Sequence, residues 1–136
     1  MADLRKLYGT DTNKETDGIW QDMGDGIRML IARVGNPKYQ KLFQKLSKPH
    51  RKAIRRGNLK EDVAEKLMIE CTAETILLGW EGVELDGKAL PYNKANAIMI
   101  LTDFKDLKEY VNDFANEMEA YMQEDAEEAE EKLKNS

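Results

Sequence analysis

The chain contains few of the residues that most catalytic and metal-binding sites need. Its 136 residues include one cysteine, Cys71, and one histidine, His50. A single cysteine excludes an intramolecular disulfide and fits a reducing compartment. One cysteine and one histidine are too few for a structural zinc site, and the sequence has no calcium-binding loop or phosphate-binding glycine motif. We therefore expect a protein that is not an enzyme and that needs no metal or cofactor.

Long apolar runs are also missing from the sequence. No stretch approaches the roughly 20 apolar residues that a membrane-spanning helix needs. The first residues lack the apolar centre of a secretory signal. We therefore expect a cytoplasmic protein with no membrane partner, folded as one domain with its own core.

The single histidine and the single cysteine do not fit a catalytic role. His50 follows Pro49 in a basic loop, and no nucleophile or orienting partner lies near it in the sequence. Cys71 shares an apolar helical stripe, which favours a small buried side chain over a reactive thiolate. We therefore expect a surface histidine and an unreactive cysteine.

Alternating side chains and a turn predict a small N-terminal β-hairpin. Residues 10–17 are polar and predict a mobile lead-in. Residues 19–23 alternate apolar and polar side chains, and residues 24–26 form a Gly-Asp-Gly turn. Residues 27–34 are rich in apolar and β-branched types, which completes a hairpin over about residues 19–34.

Helical periodicity dominates the remainder. Asn36 precedes a proline and predicts the cap of a first helix. Residues 59–78 predict a long central helix with carboxylates in its first turns. Asn93 predicts the cap of a short helix, and Thr102 or Asp103 that of the last one.

These patterns together predict a mainly α-helical protein with a small N-terminal β-hairpin and an acidic, partly disordered C-terminal extension. The single domain is expected over residues 1–122 and the acidic tail over residues 123–136. Six of the eight residues in the segment 124–131 are acidic, and no apolar stripe accompanies them.

A basic segment gives the chain an alternative function. Residues 27–60 contain no acidic side chain, and nine lysines and arginines lie in residues 38–60. They could contact phosphates, with Tyr39 or Phe43 available for base stacking, as in a small nucleic-acid-binding or regulatory protein. These two aromatics share a stripe with leucines, which favours a core position instead. The basic segment could equally pair with the acidic tail, within or between subunits.

Six apolar side chains are candidates for partner binding: Trp80, Tyr92, Phe114, Met118, Tyr121 and Met122. Aromatic residues dominate interface hot spots, and methionine adapts to irregular apolar partners. Core packing is the alternative for Trp80, Tyr92 and Phe114.

The motifs around Trp80 follow a distinctive order. They are LGWEGV at residues 78–83, DG at 86–87, LPYNKANA at 90–97 and LTDFKDL at 101–107. In this order and spacing the chain resembles the tail assembly chaperones of long-tailed, non-contractile bacteriophages. The resemblance covers roughly residues 70–121.

The resemblance implies a largely helical protein without catalytic residues. Such chaperones bind the long, aggregation-prone tape measure protein, keep it soluble and help recruit tail tube subunits, and they are absent from the mature virion. Many also exist as an extended product of ribosomal frameshifting, and they tend to self-associate. The resemblance therefore implies three partners: the tape measure protein, the tail tube protein and further copies of the chain. As a hypothesis, the tape measure protein contacts the apolar side chains of the last helix.

Overall fold

The computed structural model describes residues 1–117 and residue 121. This part of the chain combines α-helices with β-strands. In chain order the elements are α1 Leu4–Tyr8, α2 Thr12–Asp17, β1 Ile19–Gly24, β2 Ile27–Ile31, α3 Pro37–Ser47, α4 Arg51–Arg56, α5 Glu61–Thr75, β3 Leu77–Glu81, β4 Glu84–Leu85, β5 Lys88–Ala89, α6 Lys94–Asp103 and α7 Lys105–Asn116. A 3-10 turn, Lys48–His50, joins α3 to α4.

The prediction of a mainly helical fold is wrong, because the strands form two sheets and the fold is mixed α/β. Strands β1, β2 and β3 make an antiparallel sheet in that order, and β4 pairs with β5 in a second, two-stranded sheet. The predicted hairpin is confirmed as β1 and β2, but it is only two thirds of the larger sheet. Asp25 and Gly26 supply its turn with positive φ angles of 53° and 80°.

Strand β3 was not predicted: it covers the last two residues of the predicted central helix and the first three of the loop that follows. Helix α5 ends at Thr75, and the chain then pairs with β2 in a register that places Trp80 opposite Met29 and Leu77 opposite Ile31. A short apolar run such as LLGWE fits a buried strand as well as a helix, so local periodicity could not separate them. The open edge of β2 decided the outcome by supplying backbone partners.

The N-terminal lead-in contains regular structure, contrary to the prediction. Helix α2 forms because the carboxylate of Asp11 accepts hydrogen bonds from the backbone N–H groups of Asn13 and Lys14. The backbone N–H of Arg33 then donates to the carbonyl of Glu15, which holds α2 beside the end of β2.

Asn36 caps α3, as predicted, and also ties that helix to α5. Its side-chain oxygen accepts from the backbone N–H of Tyr39 at 3.0 Å, and its amide donates to the carbonyls of Arg33 at 2.7 Å and Thr75 at 3.2 Å. The residue is 1% exposed. Because both the oxygen and the nitrogen of this buried side-chain amide are hydrogen-bonded, Asn36 fixes the start of the basic segment relative to the central helix.

The core lies between the three-stranded sheet and helices α5, α6 and α7. Its largest fully buried apolar side chains come from these elements and from Tyr121: Ile31, Ile76, Leu77, Leu101, Val111 and Tyr121. Each of these helices packs on the next in chain order, α5 also contacts β3, and α7 contacts β2. The sheet is therefore held against the helices by its second and third strands.

The boundaries of the last helices differ from the prediction. Thr102 and Asp103 lie inside α6, and Phe104 takes the position before α7. Helix α7 ends at Asn116, and Met118, Met122 and the acidic tail lie outside the described residues. The division into residues 1–122 and 123–136 stays a prediction.

Candidate functional site

The loop between β3 and α6 is held by its two aromatic side chains. The Trp80 indole N–H donates to the carbonyl of Leu90 at 2.8 Å, and the Tyr92 hydroxyl donates to the carbonyl of Leu77 at 2.7 Å. The two rings meet edge to face at 4.9 Å between centroids. Trp80 is 8% exposed. These contacts make the pair a clamp that joins both ends of the loop, with each polar atom satisfied.

Burial also raises the pKa of the Tyr92 hydroxyl above its usual value. The hydroxyl therefore remains a hydrogen-bond donor at neutral pH. Partner binding through Trp80 or Tyr92 stays a prediction.

Phe114 and Tyr121 also lie in the core. Phe114 packs against Tyr121 with ring centroids 6.1 Å apart. The Tyr121 hydroxyl donates to the carbonyl of Ile31 at 3.0 Å, and the N–H of Asp11 donates to the carbonyl of Tyr121 at 2.7 Å. Burial raises the pKa of this hydroxyl well above its usual value. Direct contact of these rings with a partner stays a prediction and needs the segment to leave the core.

The four predicted site residues that the structure describes form two separate pairs. Trp80 and Tyr92 meet in the loop clamp, while Phe114 and Tyr121 pack against each other near β2. Met118 and Met122 lie outside the described residues.

An apolar cleft of about 250 Å³ lies beside the loop clamp. Its lining comes from the first hairpin, from the loop and its small sheet, and from the junction of α6 and α7. Met23, Ile27 and Met29 line one side, Val83, Glu84, Leu85 and Leu90 a second, and Ile100, Phe104 and Leu107 the third. Phe104 is 45% exposed, so it presents a large apolar surface to solvent.

The dimensions and chemistry of this cleft suit a protein side chain. Small-molecule sites usually enclose about 300 to 1,000 Å³ and carry several polar groups that orient the ligand. The cleft is smaller, and Glu84 is the charged residue in a lining that is otherwise apolar. The methionines on its hairpin side adapt to irregular partners. The cleft therefore fits one or two apolar side chains of a partner segment.

Sequence reasoning missed the cleft because its lining is scattered. The contributing residues run from Met23 to Leu107 and belong to elements that are far apart in the sequence. Phe104 carried a usable signal, since it is a large apolar residue at a helix boundary within the resemblance region.

The basic segment forms an exposed surface on α3, the 3-10 turn and α4. We call its nine exposed cations the basic face: Lys38, Lys41, Lys45, Lys48, Arg51, Lys52, Arg55, Arg56 and Lys60. Tyr39 is partly buried, and its ring stacks with Phe43, which is 38% exposed. Tyr39 thus packs partly against the core, but the core position that the leucine spacing predicted for Phe43 is wrong, because its ring is exposed.

A comparison with known protein families finds one family model that matches the chain. A model described as the YdaY prophage protein matches residues 34–132, well over half of the chain. The chain belongs to the YdaY prophage protein family. No curated protein and no solved structure matches it. The predicted phage or prophage origin is confirmed at this level.

The YdaY match spans the basic face, the loop clamp and the α6–α7 side of the cleft. Strands β1 and β2 precede it, so the hairpin side of the cleft lies outside the matched range. The matched range also contains the acidic residues 124–131. The family match covers both of the oppositely charged segments.

Cys71 lies in α5 of this YdaY-family chain, and His50 ends the 3-10 turn before α4. Cys71 is fully buried, and burial, reinforced by nearby glutamates, raises the pKa of its thiol to about 11. Among residues 1–117 and 121, no cluster of three or more His, Cys, Asp or Glu side chains suits a metal ion. Within the same residues, no helix has the length and apolar character needed to cross a membrane.

Proposed function

We propose that this YdaY-family protein is a non-enzymatic tail assembly chaperone that binds the tape measure protein of its prophage. It acts in the host cytoplasm, keeps the tape measure protein soluble and helps recruit tail tube subunits around it. Self-association and an extended frameshift product belong to the same proposal.

The apolar cleft is the observation that carries the proposal. A protein that holds a long helical client needs an apolar groove that takes side chains one helical turn apart. The cleft offers aliphatic walls, two methionines and the exposed ring of Phe104. An apolar surface that residues 1–117 and 121 leave uncovered fits a transient partner better than a catalytic substrate.

The order of the sequence motifs supports the same conclusion. The motifs that resemble the chaperones form the loop clamp and the wall of the cleft. Trp80 and Leu90 are joined by a hydrogen bond, and Leu90 lines the cleft directly. The clamp thereby positions the client surface, while the prophage family supplies the biological setting.

Co-expression with the tape measure protein tests this function. We expect more tape measure protein in the soluble fraction and co-purification of the two chains, compared with expression beside an unrelated helical protein. A soluble fraction that does not change, together with no co-purification, would reject the chaperone function.

A matched pair of variants on one small hairpin localises the binding. Leu85 and Lys88 are paired across β4 and β5, but Leu85 lines the cleft and Lys88 is exposed. We expect Leu85→Asp to abolish the solubilising effect, because it places a charge in the apolar cleft. Lys88→Asp adds an acid to the same hairpin and should leave the effect intact. Circular dichroism must show that both variants are folded.

A further inference from the structure

The basic face concentrates positive charge without internal compensation. Within the described residues, none of its nine cations lies within ion-pair distance of a carboxylate. Elsewhere in the described part, Arg28, Arg33, Lys94 and Lys108 each contact a glutamate. Such a cluster repels itself and attracts an extended anion.

A groove gives this face a defined centre. Lys38, Lys41 and Lys45, together with Leu42, line a groove of about 420 Å³ against Glu74 and Thr75 at the end of α5. The carboxylate of Glu74 is already paired with Lys94 at 2.8 Å. The spacing of the three groove lysines, three and four residues, places them on one side of α3. A row of lysines along a groove suits a chain of carboxylates better than a single small anion.

We propose that the acidic residues 124–131 of the same chain bind the basic face. This segment holds six carboxylates in eight residues, and the chain carries a net charge of −5. Removing those six charges leaves the rest at +1, from −5 + 6. The two segments therefore carry opposite charge, and neither of them contains a charged residue of the other sign.

The attachment point of the segment makes contact within one chain feasible. Tyr121 is anchored to Ile31 and Asp11, and the N–H of Val34 donates to the carbonyl of Ala115 at the end of α7. The basic face begins only four residues after Val34, at Lys38. An extended chain advances about 3.3 Å per residue, so ten residues beyond Tyr121 span about 33 Å. Helix α3, with 11 residues, is only about 16 Å long.

Tethering favours the chain's own segment over a separate anion. A short flexible tether gives an attached ligand an effective concentration in the millimolar range. Nucleic acid or a second copy of the chain must compete with it for the same cations. The basic face and the apolar cleft share no residue, so this inference is independent of the proposed function.

A spin label on the acidic segment tests the contact in the full-length chain. A nitroxide is attached to the variant Ala129→Cys, since the buried Cys71 is protected from labelling. Nitrogen-15 spectra then measure line broadening of each backbone amide. At low salt we expect selective broadening over residues 38–56. At 1 M salt, where the Debye length is about 3 Å, we expect the broadening to disappear.

A charge-matched pair of triple variants serves as the control. Lys38→Gln, Lys41→Gln and Lys45→Gln together should lower the docking equilibrium constant by about fivefold, because three screened surface contacts are lost. The same change at three exposed lysines elsewhere should leave the broadening unchanged: Lys66→Gln, Lys88→Gln and Lys105→Gln. Equal broadening in the two triple variants would overturn the proposal.

Mixing labelled and unlabelled chains separates the possible occupants. A nitroxide-bearing chain is added to a nitrogen-15 chain that carries no nitroxide. No broadening is expected in this mixture, and selective broadening would overturn the proposal in favour of a second copy. A third outcome would overturn the proposal in favour of nucleic acid: the spin-labelled chain shows no broadening, and a 20-nucleotide single strand binds at the same salt.

Discussion

The loop clamp predicts a specific cost for replacing Trp80 with Phe. The substitution keeps an aromatic ring but removes the N–H that donates to the carbonyl of Leu90 at 2.8 Å. Losing this hydrogen bond costs about 1 kcal/mol. The smaller ring also leaves a gap at a side chain that is only 8% exposed, which adds about 1 to 2 kcal/mol. We expect Trp80→Phe to lower the free energy of unfolding by about 2 to 3 kcal/mol.

Trp20→Phe is the matched control for this prediction. Trp20 is 39% exposed, and its ring lies 5.0 Å from the guanidinium carbon of Arg28. Weakening an exposed cation–π contact costs about 0.5 to 1 kcal/mol. We therefore expect a change of at most about 1 kcal/mol for Trp20→Phe.

Urea unfolding followed by far-ultraviolet circular dichroism measures both changes. This signal is preferable to fluorescence, because each variant removes one of the two tryptophans. Equal unfolding midpoints for the two variants, with equal dependence on urea, would refute the assignment of Trp80 as a structural clamp.

Three further predictions use matched positions. Asn36→Ala should lower the free energy of unfolding by about 2 to 4 kcal/mol, because it removes a buried helix cap with three hydrogen bonds. Asn93→Ala removes an exposed cap and should lower it by about 1 kcal/mol. Urea unfolding measures both changes. Gly82→Ala should lower the thermal midpoint more than Gly87→Ala. Both have positive φ, but a Cβ at Gly82 would collide with backbone and one at Gly87 meets open space. The raised pKa of Cys71 means that the unfolded chain loses the thiol proton first. Stability present below pH 9.0 should therefore fall as pH rises towards about 11, and Cys71→Ala should make that fall shallower.

Local signals predicted the elements that depend on local contacts. The Gly-Asp-Gly turn and the cap of α3 were recognisable because turn and cap residues act within a few positions. Asn93 likewise caps α6 by accepting a hydrogen bond from the N–H of Asn96 at 2.7 Å. These elements needed no knowledge of the remainder of the chain.

Features that depend on distant partners were not predictable. Strand β3 exists because β2 offers an open edge, and α5 therefore stops at Thr75 instead of continuing to Leu78. Two side-chain hydrogen bonds also join residues that are far apart in the sequence. They are the bond from Asn36 to the carbonyl of Thr75 and the bond from Tyr121 to the carbonyl of Ile31. The cleft combines residues from three regions that are far apart in the sequence, so the periodicity of any one segment could not predict it.

The central claim is that the apolar cleft binds a segment of the tape measure protein. The most direct test compares the affinity of purified tape measure protein segments for two variants, Phe104→Ser and Ile54→Ser. The side chains are equally exposed, at 45% and 44%, but only Phe104 lines the cleft. We predict that Phe104→Ser weakens binding by about tenfold or more, as for a central aromatic contact, while Ile54→Ser leaves the affinity unchanged. Equal affinities for both variants and the wild-type chain would contradict the claim.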